Sequence, residues 1–154
     1  MPDLLTHVIV SSAVARISKF HVIFSLFVIG NVLPDIFTRA LDILLKMFDV
    51  NVGWFFLALH TPIGLLIFSY ILCFSFSMNI RRNVFLSIYL GSLFHLFLDS
   101  LQKSFYKSSD FVLFPFSFET FSFDLFYYNS TVYPILCLVI ITVIYKVISR
   151  VFKT

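Results

Sequence analysis

Apolar residues in this chain come in long blocks with few polar interruptions. The blocks cover residues 4–17, 21–36, 53–78, 84–101 and 132–152. None alternates over about ten residues as the strands of a membrane barrel do, so each is read as a helix. Crossing the roughly 30 Å hydrocarbon layer takes about 20 helical residues. By that measure the third and fifth blocks span fully and the second and fourth are slightly short. The first is a partial insertion, or a helix that packs on the others. Pro34 near the end of the second block, Asn51-Val52-Gly53 before the third and the polar run 79–83 mark the breaks. Pro134 falls in the first turn of the fifth, where proline is tolerated. No repeat or linker divides the chain, so 1–154 is expected to be a single domain. The expected fold class is all-α: an integral membrane helical bundle of four to five helices, one of them partial.

Composition supports lipid as the solvent. Sixty per cent of the 154 residues are hydrophobic and 12% are charged, against about 25% charged in soluble domains. In water so short a chain would leave a large exposed apolar patch. In lipid every backbone polar group must be satisfied internally, which favours helices. The net charge of +3 is spread along the chain, and no basic run is dense enough for nucleic acid. Membrane lipids are the expected partners, and a homo-oligomer stays open. Cys73 and Cys137 read as small buried hydrophobes. The N-terminus lacks a basic region and a cleavage site, so no signal peptide is expected.

Basic residues suggest an orientation in a cell (inner or plasma) membrane. Arg16, Lys19, Arg81, Arg82, Lys146, Arg150 and Lys153 fall at one end of the alternating segments, and Arg39, Lys46, Lys103 and Lys107 at the other. The larger set is expected in the cytoplasm. The connection 102–131 is crowded with phenylalanine, as in FVLFPFSFETFSFDLFYY, and aromatics at that density suit a membrane–water boundary. Its short alternating stretches between 114 and 124 are compatible with a hairpin or an interfacial hook.

Ionisable residues within apolar segments are costly and by default point to function. His7, Asp35, His60, His95 and Asp99 are such residues. His95 and Asp99 are four apart and share a helix face. With the helices alternating, all five fall at one end of the bundle, on the expected outer side. His21, beside Lys19, falls at the other end and reads as an interfacial histidine. Imidazole with carboxylate suits Zn²⁺, Mn²⁺ or Fe²⁺ better than Ca²⁺. A metal so held would bring a water toward neutral pKa and polarise a phosphoryl or carbonyl oxygen. Asp35 or Asp99 could instead be the general base. The alternative is a buried hydrogen-bonded knot that only ties the helices together.

The order MPDLLTH, GNVLPDI, HTPIGLL, GSLFHLFLDSL and Pro115-Phe116-Ser117 resembles the membrane-bound metal-dependent hydrolases. These are small inner-membrane proteins sometimes described as LexA-binding and distantly similar to zinc-dependent phospholipase C. The resemblance covers about residues 1–125 and implies metal ligands at His7, Asp35, His60, His95 and Asp99. Two positions depart from the family pattern: Phe37 stands where a second acid follows the Pro-Asp aspartate, and 55–59 is apolar where His-Arg-Gly-x-Thr is common. The expectation is a zinc-type hydrolase of a lipid or lipid-linked phosphoester at one leaflet. Arg39, Lys46, Lys103 or Lys107 could meet the phosphate, the alternative for each being an ordinary interfacial anchor. The competing expectation is a non-catalytic membrane scaffold or assembly subunit. A small ion transporter fits less well, since no inverted repeat is present.

Overall fold

The computed structural model describes residues 4–17, 23–48, 60–103, 116, 117, 119, 123 and 125–127. The expected fifth segment, Cys137, His21, Lys107 and most of the Phe-rich loop lie outside them. Four helices are described: α1 Leu4–Ile17, α2 Phe24–Lys46, α3 Pro62–Cys73 and α4 Met78–Ser100. Two short strands, β1 Gln102–Lys103 and β2 Phe126–Tyr127, follow. α2 and α4, 23 residues each, are long and apolar enough to cross a membrane by length and composition.

The largest helix interface joins α2 to α4. Gly30 abuts Ile88, Gly91 abuts Phe27 and Asn31, and Asp35 approaches His95. The sequence offset between these partners stays near sixty, so α2 and α4 run parallel. α1 runs antiparallel to α2: Asn31 Nδ2 donates to the His7 carbonyl at 2.7 Å, while Arg16 lies over the Phe24 ring. α3 packs antiparallel to α4 after the turn at 74–77, through the cluster of Cys73, Val84 and Ile88. The alternation expected from sequence therefore holds for the four described helices.

The interior is unusually polar. Among the described residues thirteen polar or charged side chains are buried, against nine hydrophobic ones. Ile29, Ile36, Ile43, Ile67, Ile71 and Phe97 are exposed. A water-soluble domain distributes these types the other way round. The buried stripes follow helical spacing: Thr6, His7, Val10 and Ser11 on α1; Phe27, Gly30, Asn31, Pro34, Asp35 and Thr38 on α2.

Three boundaries differ from the sequence reading. α2 does not stop at Ile36. It passes through Pro34 and continues to Lys46. Proline cannot donate to the carbonyl four residues back, which leaves the Gly30 oxygen without its helical partner. Ser92 Oγ of α4 lies 2.9 Å from that oxygen and 2.9 Å from the Ile88 carbonyl, so its one proton is shared between them and gives the freed oxygen a partner across the helix interface. Replacing Ser92 with alanine is therefore expected to destabilise the protein by about 1–3 kcal/mol, the usual cost of orphaning a buried polar group. Thermal unfolding in detergent against a Leu90→Ala control measures it, and equal melting of the two variants would refute this account.

The polar run 79–83 is the first turns of α4 and not a break. The break is the turn at 74–77, where Arg81 lies over the Phe74 ring at 4.7 Å and donates to the Phe76 carbonyl. Consequently the third block, expected to span fully, ends at Cys73, and its described helix is 12 residues long. The start of that helix is set by Thr61, whose Oγ1 accepts from the Gly64 N–H at 3.1 Å, and by Pro62 in the first turn, a common start arrangement.

The segment after α4 folds back on its end. The Phe123 and Leu125 N–H groups donate to the Ser100 and Leu101 carbonyls, which a helix C-terminus otherwise leaves open. Gln102 then pairs with Phe126 and Lys103 with Tyr127 in parallel register. A parallel pair needs a long crossover, so this pairing is not a hairpin.

Candidate metal centre

All five ionisable positions are among the described residues, and they meet. α1 supplies His7, held by two contacts to its carbonyl: Ser11 Oγ donates at 2.6 Å and Asn31 Nδ2 at 2.7 Å. α2 supplies Asp35, which is fully buried. The sequence reading put this residue at the exit end of its helix, but α2 runs eleven residues beyond it. His60 stands just ahead of the Thr61-Pro62 start of α3. α4 supplies His95 and Asp99 in its last turns, on one face by their i, i+4 spacing. His21 lies outside the described residues.

The contacts form a continuous chain of imidazoles and carboxylates. His60 Nε2 is 3.7 Å from Asp35 Oδ1, and His95 Nε2 is 3.7 Å from the same oxygen. His95 Nε2 is 3.2 Å from Asp99 Oδ2, and His7 Nε2 is 3.5 Å from Asp99 Oδ1. The His7 and His95 rings stack with centroids 4.4 Å apart. Within this chain are two overlapping sets, His7–Asp35–His95 and His60–His95–Asp99, whose ligand atoms lie within 4.8 Å of one another. Each has two histidines and one carboxylate, and His95 belongs to both.

These spacings fit a shared ion better than direct hydrogen bonding. Charge-assisted N–H···O bonds close to about 2.7–2.9 Å; the His95–Asp99 contact lies at the long limit of a hydrogen bond and the other three exceed it. Two ligands each about 2.0–2.1 Å from a tetrahedral zinc stand about 3.3–3.4 Å apart. Both ring nitrogens of His7 and of His95, both oxygens of Asp35 and Oδ1 of Asp99 make no hydrogen bond although buried. Orphaned groups of this kind cost about 1–3 kcal/mol each, and one cation would satisfy several together. The buried His/Asp groups can therefore hold a metal ion.

The surroundings separate the two sets. His7, Asp35 and His95 are closed off, whereas His60 keeps 12% of its side chain accessible and Asp99 keeps 8%. Phe37 packs against Phe68 with ring centroids 5.0 Å apart. Of the basic residues proposed for phosphate, Arg39 is exposed on α2, and Lys46 pairs with Asp42 at 2.7 Å. Sequence reasoning did not single out Asn31 or Ser92. Both are buried polar residues in otherwise apolar helices, the same signal that marked the five.

No protein-family model, curated protein or solved structure matches this chain.

Proposed function

We propose that this protein is an integral membrane, metal-dependent hydrolase of a lipid or lipid-linked phosphoester. The observation that carries the reading is the convergence of three histidines and two aspartates from four separate segments into two-His-one-Asp sets, with the ring nitrogens of His7 and His95 and the carboxylate oxygens of Asp35 buried and without a hydrogen bond. Two-His-one-carboxylate sets are a common catalytic arrangement for zinc and also serve iron. The inside-out distribution of polar and apolar residues supports the membrane setting, as do the two long apolar helices. The resemblance to membrane-bound metal-dependent hydrolases points the same way.

His7, Asp35 and His95 would hold the ion, with His60 and Asp99 completing or sharing it. A divalent ion there supplies Lewis-acid polarisation and an acidified water. Asp35, bracketed by His60 and His95, is suited to ligation. Asp99 borders the more open side and is suited to accept a proton at its carboxylate oxygen, with the His7 and His95 rings orienting it. The buried Asn31 and Ser11 fix the backbone of His7 and so keep its ring on the centre. Phe37 against Phe68 fills the place of a further acid with an aromatic pair, which favours one ion over two. The same pairing is the one observation that favours the scaffold reading.

Elemental analysis of the detergent-purified protein tests the proposal, together with release of phosphate-containing products from phospholipid and polyprenyl-phosphate substrates. The expected result is about one zinc, manganese or iron per chain and hydrolysis that a chelator abolishes. Protein that is folded yet carries no stoichiometric metal would sink the hydrolase reading. Metal without turnover of any phosphoester would leave the scaffold.

A further inference from the structure

A groove of about 280 Å³ runs along α2 beside the start of α1. Val8, Val28, Ile29, Val32, Leu33 and Ile36 line it, and every one of these side chains is aliphatic. Two of its residues adjoin the metal centre directly in sequence: Val8 follows His7 and Ile36 follows Asp35. On α2 the groove stripe of Val28, Val32 and Ile36 lies next to the stripe of Asn31 and Asp35. Arg39 continues both, three residues past Ile36 and four past Asp35, so it shares a face with each. It is exposed, while the nearby acid Asp42 is taken by Lys46. An aliphatic groove, an exposed cation one helical turn past it and His/Asp groups that can hold a metal ion thus occupy adjoining stretches of α2.

We propose that this groove holds a hydrocarbon chain of an anionic phospholipid, with the phosphate head turned toward Arg39 and the metal centre. The proposal rests on the membrane-embedded metal-site reading and narrows its substrate to a phosphomonoester or phosphodiester carrying an alkyl chain. Charge complementarity selects the head, because Arg39 is an exposed cation one turn past the groove, whereas Lys46, also exposed, is paired with Asp42. The lining selects the tail, since it offers no polar atom to a peptide backbone or a sugar.

The test is saturable capture of dioleoyl phosphatidic acid by the detergent-purified full chain, read by native mass spectrometry against dioleoylglycerol as the neutral arm. Metal content is measured on the same samples. Ile29→Trp fills the groove from its exposed rim and is expected to weaken phosphatidic acid capture about tenfold or more. Arg39→Gln is expected to remove most of the preference for phosphatidic acid over the neutral lipid. Both variants should keep the wild-type metal content, which shows that they fold. Unchanged phosphatidic acid capture in both variants overturns the groove assignment. A change of oligomeric state in Ile29→Trp with capture intact also overturns it, since the groove would then seat a second copy of the chain. Absence of metal from every sample, with capture still sensitive to Ile29 and Arg39, supports the groove while refuting the hydrolase.

Discussion

Replacing His95 with glutamine is expected to remove the metal from the protein, whereas the same change at His7 or His60 leaves part of the binding. His95 is the residue common to both two-His-one-Asp sets. Its Nε2 lies 3.7 Å from Asp35 and 3.2 Å from Asp99, so its loss breaks both sets together. His7→Gln leaves His60, His95 and Asp99 in place; His60→Gln leaves His7, Asp35 and His95. Loss of a group that merely supports a ligand costs about 10–100-fold in metal affinity. Loss of the shared ligand should exceed that, and phosphoesterase activity should fall with it. Metal titration of the four proteins, with unfolding followed in parallel, checks the ranking. A purely structural knot predicts another pattern, in which all three histidine variants melt earlier and none differs in metal. A His95→Gln protein that binds metal as the wild type does would remove His95 from the centre.

That ranking depends on a contact geometry which the sequence only partly carried. The five residues were legible because each is an ionisable group inside an apolar run, where burial without a partner is too costly to be accidental. The alternation of helices placed them at one end, and the described helices do alternate. What the sequence did not carry was set by contacts between segments distant along the chain. Pro34 reads locally as a helix end; α2 nevertheless continues to Lys46, and the freed Gly30 carbonyl finds a donor in Ser92, a residue 62 positions away that the local sequence does not reveal. The run 79–83 reads as a loop by polarity, yet arginine and asparagine at the start of a helix are tolerated where that start is exposed. The turn at 74–77 reads Phe-Ser-Phe-Ser and holds no glycine, proline or asparagine, so it gave no break signal. Its conformation is held by Arg81 reaching back to Phe76 and the Phe74 ring. The parallel pairing of 102–103 with 126–127 is likewise a long-range contact, invisible to local alternation.

Valine at Gly91 is expected to cause the largest loss of folding stability of any single change in the described helices, and to take the metal centre with it. A side-chain carbon at Gly91 would run into the Phe27 carbonyl oxygen and come within 3.0 Å of the Asn31 nitrogen. Both obstacles are backbone, so no rotamer change relieves them. Small residues at helix crossings allow this close approach in membrane proteins. Overpacking of a tight core costs about 1–3 kcal/mol even where side chains can shift, and here α2 and α4 must separate. The separation acts on the site through Asn31. That residue holds the His7 carbonyl and sits one turn before Asp35, so its displacement moves an α1 ligand and an α2 ligand away from His95. Gly30→Val should behave alike, because its added carbon would meet the Ile88 carbonyl. Leu90→Val, on the exposed side of the same α4 turn, should change neither melting nor metal content. Thermal unfolding in detergent and elemental analysis of the three variants decide the matter. If Gly91→Val melts with Leu90→Val and keeps its metal, the close approach of α2 and α4 is not what assembles the centre.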